Sequence, residues 1–356
     1  MTETVTAKAS ATAPKNGSRK RVMYFDLLSI IACFGVVALH CNGGAHAWQP
    51  TPVWAQELAV EVLFFWAVPV FFMLSGAKTM EYRARRTTRE FLVHRMTRLF
   101  VPFIAWSAII FFLRNRTLDV PLFLVQLKDG SIETVYWFFY TMFGVTLSMP
   151  VLSALAEHKR VMWYLVGVVI VLQTICAPLC VLLDIRWNTS FSLPVASGYV
   201  MYVVLGYLLA TDEERFITPR RRRVLYALGV AALLFRYVYT YLSSNALGEV
   251  DRATFDYIGF CGFFPAVALF LLFKHIEWEK RTPWLQRHSK AVVTVAGATF
   301  GIYLTHILWI RDILPPMGMP MDSAFARLAC PFLIFVACMV IVLILKRIPV
   351  LRRLVP

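Results

Sequence analysis

Ten long apolar segments constrain this chain more than any other feature of its sequence. They occupy residues 22–42, 58–78, 97–113, 134–156, 161–183, 193–210, 222–242, 254–274, 291–313 and 326–346. Most are close to the roughly 20 residues that a helix needs to cross a bilayer. Because backbone groups inside a membrane must be hydrogen-bonded within the protein, we predict an all-α bundle of about ten transmembrane helices. A composition that is 59% hydrophobic excludes an ordinary soluble domain.

Lysine and arginine give the chain a formal net charge of +15, and their distribution indicates membrane topology. They concentrate in alternate connections, at residues 15–21, 83–98, 159–160, 220–223, 280–290 and 346–353. Because positive loops stay in the cytoplasm, we predict that both termini, Ala84 and Arg221 are cytoplasmic, and that Ala47 and Gly248 lie outside. The charge therefore favours a multi-pass protein of the cytoplasmic membrane, with the lipid bilayer and not a nucleic acid as its partner.

Composition divides the chain into two parts. Residues 1–20 are polar, and we predict a disordered cytoplasmic tail there. They are not a cleavable signal peptide, because the apolar segment that follows is long enough to span a membrane. Residues 21–356 are predicted to form one membrane-embedded domain. The seven cysteines lie mostly in apolar segments and lack metal-ligand spacing with histidines, so we expect neither a disulfide framework nor a metal ion.

Five ionisable residues are predicted to lie at one depth, in the outer half of the membrane. They are His40, Glu61, Arg236, Asp256 and His306, each from a different apolar segment or its edge. Such groups are costly in a membrane and often mark a functional cavity, and this mixture could pair and move protons near neutral pH. Other interpretations stay open. The two acids could be solvated at the interface, the arginine could reach water or neutralise an acid, and His306 could be structural.

The first segment places several polar side chains on one helical face. Asp26, Ser29, Cys33 and His40 recur near multiples of 3.6 residues. Asp26 and His40 are about 20 Å apart along the axis, so they cannot touch. We predict that Asp26 occupies the first turn, where a carboxylate suits the helix dipole, and that His40 belongs to the opposite, outer end.

Six segments resemble, in order, those of the integral membrane proteins of acyltransferase family 3. They are "FDLLSIIACFGVVALH", "AVPVFFMLSGAKTM", "FLVHRMTRLFVPFIAW", "VYWFFYTMFGVTLSMPVLS", "GYVMYVVLGYLLA" and "ATFGIYLTHILWI". Each is weak evidence alone, because Leu, Phe and Gly are common in membrane helices. Their shared order makes the resemblance specific, and it covers most of the chain.

The resemblance implies acetyl-CoA or another acyl-CoA as donor and a carbohydrate or glycan precursor as the acceptor of O-acylation. It implies His40 as the catalytic base, with Arg95 and Arg98 contacting coenzyme A phosphates. Imidazole suits proton removal from a hydroxyl, and clustered arginines suit phosphate. Glu61 or Asp256 is a candidate to orient the imidazole, His306 is a further catalytic candidate, and Arg236 is a candidate cation for the donor.

Two positions depart from the pattern that this family shows. Many members carry arginine at the position of Ser29, eleven residues before the histidine, and some carry arginine at the position of Phe65. The missing cations leave a different donor, a rearranged site or lost activity open. Two rival functions also stay open: a transporter of a small solute or lipid-linked sugar, which would bind its cargo with the same buried charges, and a non-catalytic membrane sensor, which the departure at Ser29 allows. The sequence does not determine the acceptor, the acyl chain length or the oligomeric state.

Overall fold

The computed structural model describes residues 22–188, 198–320 and 323–356, without the side chain of Glu279. The predicted tail at residues 1–20 lies outside these ranges. The helices are α1 (Met23–Cys41), α2 (Pro52–Phe64), α3 (Ala67–Thr79), α4 (Thr88–Asn115), α5 (Val120–Asp129), α6 (Trp137–Ala154), α7 (Lys159–Val169), α8 (Ala177–Leu182), α9 (Tyr199–Thr211), α10 (Pro219–Leu247), α11 (Phe260–His275), α12 (Trp278–Arg281), α13 (Pro283–Arg287), α14 (Ser289–Leu308), α15 (Ala324–Leu328) and α16 (Cys330–Arg347). Short 3₁₀ and π segments extend several of them, and the described residues contain no strand.

Eight helical stretches in the described residues are long and apolar enough to cross a membrane. They are Met23–Cys41, Pro52–Ala84, Thr88–Asn115, Thr134–Glu157, Lys159–Leu182, Pro219–Leu247, Ser289–Ile313 and Cys330–Arg347. Two shorter apolar helices, α9 and α11, overlap the predicted spans at 193–210 and 254–274. The first part of the span at 193–210 lies outside the described residues. The all-α, multi-pass membrane bundle is therefore confirmed.

The second predicted span is interrupted at Phe65 and Trp66, which separate α2 from α3 while both residues keep right-handed helical dihedrals. Pro69 accounts for the interruption, since a proline has no N–H to donate to the carbonyl four residues earlier, that of Phe65. Thr51 caps α2 by accepting from the backbone N–H of Trp54. Glu61 of α2, Phe65 at the interruption and Ser75 of α3 line the same cavity.

Helix α4 begins nine residues before the predicted third span. Thr87 and Glu90 form a capping box, in which each side chain accepts a hydrogen bond from the backbone N–H of the other residue. This cap starts the helix within the basic stretch, ahead of the apolar segment. Arg95 and Arg98 consequently lie three residues apart, close enough to share one face of α4.

Helices α3 and α9 are packed backbone to backbone at two glycines. A Cβ atom added at Gly76 would lie 1.8 Å from the Val203 carbonyl oxygen, and one added at Gly206 would lie 2.0 Å from that of Met73. Small residues permit this close approach of membrane helices. Helix α1 is packed against α3, α14 and α16. The bundle therefore fixes α1 and α3 side by side, and these helices carry Ser29, His40, Ser75 and Lys78 of the cavity described below.

Candidate active site

A cavity of about 500 Å³ extends along α1 through the middle of the bundle. Its two ends differ chemically, and Ser29 and His40 of α1 mark them about 16 Å apart along the helix. We call one end the histidine end; its polar lining comes from His40, His46, Glu61 and Arg252. We call the other the basic end; its polar lining comes from Ser29, Ser75, Lys78, Arg95 and Arg98. Apolar side chains, including those of Phe138 and Met142, line the walls.

His40 contacts a second histidine at the histidine end. Its Nδ1 lies 2.9 Å from Nε2 of His306, and the Nδ1 of His306 lies 2.7 Å from the backbone oxygen of Tyr303. His306 is completely buried, whereas His40 is half-buried and lines the cavity. The structure thus brings together two histidines that are 266 positions apart in the chain.

The part of α14 that carries His306 is fixed to the start of α6 by two hydrogen bonds. The hydroxyl of Tyr303 donates to the Val135 carbonyl oxygen at 2.6 Å. The hydroxyl of Tyr136 donates in the other direction, to the Leu304 carbonyl oxygen at 2.9 Å. These two hydrogen bonds fix the side chain of Tyr303 and the carbonyl of Leu304 in the turn of α14 that precedes His306.

Three cations lie at the basic end. The guanidinium of Arg95 donates to Oγ of Ser75 at 3.0 Å, and Arg98 lines the cavity one helical turn further along. The ammonium of Lys78 donates to Oγ of Ser29 at 3.1 Å. Sequence reasoning missed Lys78, although it is the single lysine or arginine within the apolar segment 58–78, and that isolation was the available signal.

Glu61 and Arg236 form a buried ion pair beside the histidine end. A guanidinium nitrogen of Arg236 lies 3.4 Å from a carboxylate oxygen of Glu61, and Arg236 is completely buried. The guanidinium also lies 3.5 Å from the ring centroid of Phe65, on whose ring Tyr257 stacks at 4.1 Å. Glu61, Phe65 and Tyr257 line the cavity. Arg236 thus neutralises an acid, which is one of the interpretations that its sequence left open.

Asp256 is placed differently from the other predicted site residues. Its side chain is exposed and accepts a hydrogen bond from the backbone N–H of Ile258 at 2.9 Å. It lines a separate small pocket near Pro178 and not the large cavity. Asp26, at the start of α1, is buried. The described residues contain no group of three or more His, Cys, Asp or Glu that could hold a metal ion.

Comparison with known proteins identifies the family. The family model described as an acyltransferase domain, that of acyltransferase family 3, matches residues 22–347. The chain belongs to acyltransferase family 3. This membership supports a membrane acyltransferase with an acyl donor and an acceptor, as the sequence segments predicted. No curated protein and no solved structure matched the chain.

In this acyltransferase, each position that departs from the family pattern contacts a cation from another helix. Ser29 accepts from Lys78 of α3. The ring of Phe65 lies under the guanidinium of Arg236 of α10. Positive charge is therefore present at both places, although it comes from residues that lie far from the motif in sequence.

Proposed function

We propose that this protein is an O-acyltransferase that moves an acyl group, most simply acetyl, from coenzyme A to a hydroxyl of a carbohydrate or glycan precursor. The observation that carries the proposal is the single cavity described above. It joins a cluster of three cations to an imidazole about 16 Å away along α1. Family membership supports the reaction class. The chemical difference between the two ends of the cavity supports a donor site at one end and an acceptor site at the other.

The basic end is proposed to hold the phosphates of the donor. Arg95, Arg98 and Lys78 present guanidinium and ammonium groups, which form charge-assisted hydrogen bonds with phosphate oxygens. The pantetheine arm would then follow the apolar wall past Met142 and Phe138, so that the thioester reaches His40. Arg236 lies beside the histidine end instead, so its proposed role is to fix Glu61 and not to contact the phosphates.

His40 is proposed to act as the general base. Its imidazole takes the proton of an acceptor hydroxyl while the oxygen attacks the thioester carbonyl carbon. The tetrahedral intermediate collapses, the carbon–sulfur bond breaks, and the sulfur leaves with the proton that the imidazolium returns. The products are an acyl ester and free coenzyme A. No metal ion takes part in this scheme.

The acceptor is proposed to enter at the histidine end. Trp137 and Tyr257 present aromatic rings to the cavity, and Glu61 and Arg252 present charged groups that can hydrogen-bond hydroxyls. Aromatic faces and charged hydrogen-bonding groups together suit a carbohydrate, which has both apolar C–H surfaces and many hydroxyls. The donor thioester and the acceptor hydroxyl would therefore meet at the histidine end, beside His40.

The orientation of the protein is also a proposal. The basic end lies beside the connection at residues 83–87, which belongs to the lysine- and arginine-rich set, so we place it on the cytoplasmic side of the cell membrane. Acyl-CoA is made in the cytoplasm and would enter there. The acceptor would then be acylated in or near the outer leaflet, where surface glycans are assembled.

Direct binding of coenzyme A to the purified protein tests the donor, and analysis of surface glycans tests the reaction. We expect saturable binding of coenzyme A that free phosphate weakens, and acyl esters on glycans that disappear when the gene is deleted. A protein that moves a solute through the same cavity, or that only senses a ligand, would leave the esters unchanged. That result would contradict the proposed reaction.

A further inference from the structure

We infer that His306 is a positioning residue that holds His40 in the tautomer with its hydrogen on Nδ1, so that Nε2 is the base. This inference rests on the proposed function, because it assigns the atom that removes the proton. It depends on two measured contacts and on the hydrogen-bonding rules of imidazole.

The first contact fixes the tautomer of His306. Its Nδ1 lies 2.7 Å from the Tyr303 carbonyl oxygen. A carbonyl oxygen can only accept, so Nδ1 of His306 must carry the hydrogen. In a neutral imidazole the other nitrogen is then an acceptor. The Nε2 atom of His306 therefore presents a lone pair to its neighbour.

The second contact fixes which nitrogen of His40 carries the hydrogen. The Nε2 of His306 lies 2.9 Å from the Nδ1 of His40. Because Nε2 of His306 accepts, Nδ1 of His40 must donate. The lone pair of the neutral His40 ring is therefore on Nε2. His40 lines the cavity and His306 does not, so Nε2 of His40 is the imidazole nitrogen of this pair that is left to act on a substrate.

Nearby carboxylates are engaged elsewhere, which leaves the orienting role to a neutral imidazole. Glu61 pairs with Arg236 at 3.4 Å, and Glu133 pairs with Arg114 and Arg311, each at 2.8 Å. When His40 gains the proton at Nε2, its Nδ1–H becomes a cationic donor to His306. That hydrogen bond then strengthens, as charge-assisted bonds do, so His306 favours the charged state that forms during reaction.

The tautomer can be observed without any substrate. The full-length protein, labelled with ¹⁵N-histidine in lipid nanodiscs, gives separate nitrogen signals for protonated and unprotonated ring positions. The signals of His40 are those lost in His40→Gln. We expect wild-type His40 to be protonated at Nδ1 and unprotonated at Nε2. The opposite assignment would overturn the inference.

Two substitutions at the same position separate hydrogen bonding from packing. His306→Gln keeps an acceptor oxygen near the place of Nε2, whereas His306→Leu fills the space without one. We expect His306→Leu to mix the tautomers of His40 and to lower kcat about 10²-fold, with the KM for acyl-CoA unchanged. We expect His306→Gln to keep the Nδ1–H tautomer and a kcat within about tenfold of wild type.

Thr305→Val is the matched control, because Thr305 is the neighbouring buried polar residue of α14, and its hydroxyl donates to the Gly301 carbonyl within the helix. It should alter neither the tautomer nor kcat. Equal losses of kcat in His306→Leu and His306→Gln would overturn the inference. If the wild-type tautomer is as assigned but no acyl transfer occurs, the proposed function fails and the tautomer assignment stands.

Discussion

The two ends of the cavity are built in different ways. At the histidine end, His306 and Arg236 are completely buried, and each is fixed by a specific partner. At the basic end, Lys78 and Arg98 are exposed and Arg95 is half-buried, although Lys78 and Arg95 each donate to a serine. A buried, paired group serves chemistry that requires one geometry, whereas more exposed cations serve the binding of a charged ligand. Single substitutions should therefore cause large losses of activity or stability at the histidine end, and smaller, graded losses of donor affinity at the basic end.

The largest effect is expected from His40→Gln. Glutamine has a similar size and keeps hydrogen-bonding capacity, but it cannot act as the base. We expect kcat to fall about 10²–10⁴-fold, with expression and coenzyme A binding close to wild type. Asp26→Asn, at the other end of α1, should be much milder. Transfer rates and coenzyme A binding, measured on the same preparations, check this prediction. A wild-type rate of acyl transfer in His40→Gln would show that the histidine end does not supply the base.

Arg236→Met should chiefly affect stability. It leaves the carboxylate of Glu61 buried without its cation, which typically costs about 3–5 kcal/mol of folding free energy. The double variant Glu61→Gln with Arg236→Met removes both charges and should recover most of that loss. Thermal unfolding in detergent, followed with both variants and wild type, measures the difference. Equal stability of the single and double variants would show that the pair is not coupled.

Arg95→Ala combined with Arg98→Ala should weaken coenzyme A binding about 10- to 100-fold, because each charge-assisted contact contributes roughly 1.5–3 kcal/mol before screening by solvent. The matched control is Arg220→Ala with Arg223→Ala, which removes two exposed arginines from the start of α10, away from the cavity. Calorimetric titration compares the two double variants. Unchanged affinity in the Arg95 and Arg98 variant would leave these residues with a topological role alone.

Lys78→Met should have the smallest effect. Methionine keeps the apolar stem of the side chain and removes its charge, and an exposed ionic contact contributes no more than about 1 kcal/mol. We expect the KM for acyl-CoA to rise by up to about fivefold at unchanged kcat, with Lys78→Arg close to wild type. A fall in kcat as large as that of His40→Gln would place Lys78 in the chemical step and contradict the graded behaviour of the basic end.

Sequence periodicity and length predicted the helices well, because the hydrocarbon core imposes nearly the same apolar length on every span. The interruption between α2 and α3 lies where Pro69 removes one backbone hydrogen bond, and the span keeps helical dihedrals through it, so apolar length described it as one segment. The early start of α4 is set by the capping box at Thr87 and Glu90, which lies outside the apolar segment.

Sequence position identified single residues of the site but not their partners. His40 stood out because it ends an apolar helix, and Arg95 and Arg98 were implied by the resemblance to the family. The contact between His40 and His306 joins residues 266 positions apart, and the contact between Ser29 and Lys78 joins α1 to α3. Such contacts depend on how helices pack, which one sequence does not encode in a local pattern. Asp256 shared a predicted depth with the others, yet it lies in the connection before α11 and lines a separate small pocket.

The central claim is that donor and base meet through one cavity whose basic end is cytoplasmic. Membrane vesicles of the two orientations test it directly, when each is supplied externally with acetyl-CoA carrying a labelled acetyl group. The account predicts label on endogenous glycans in inverted vesicles, where the cytoplasmic face is outward, and little label in right-side-out vesicles. Equal labelling in both orientations, or labelling in right-side-out vesicles alone, would contradict it.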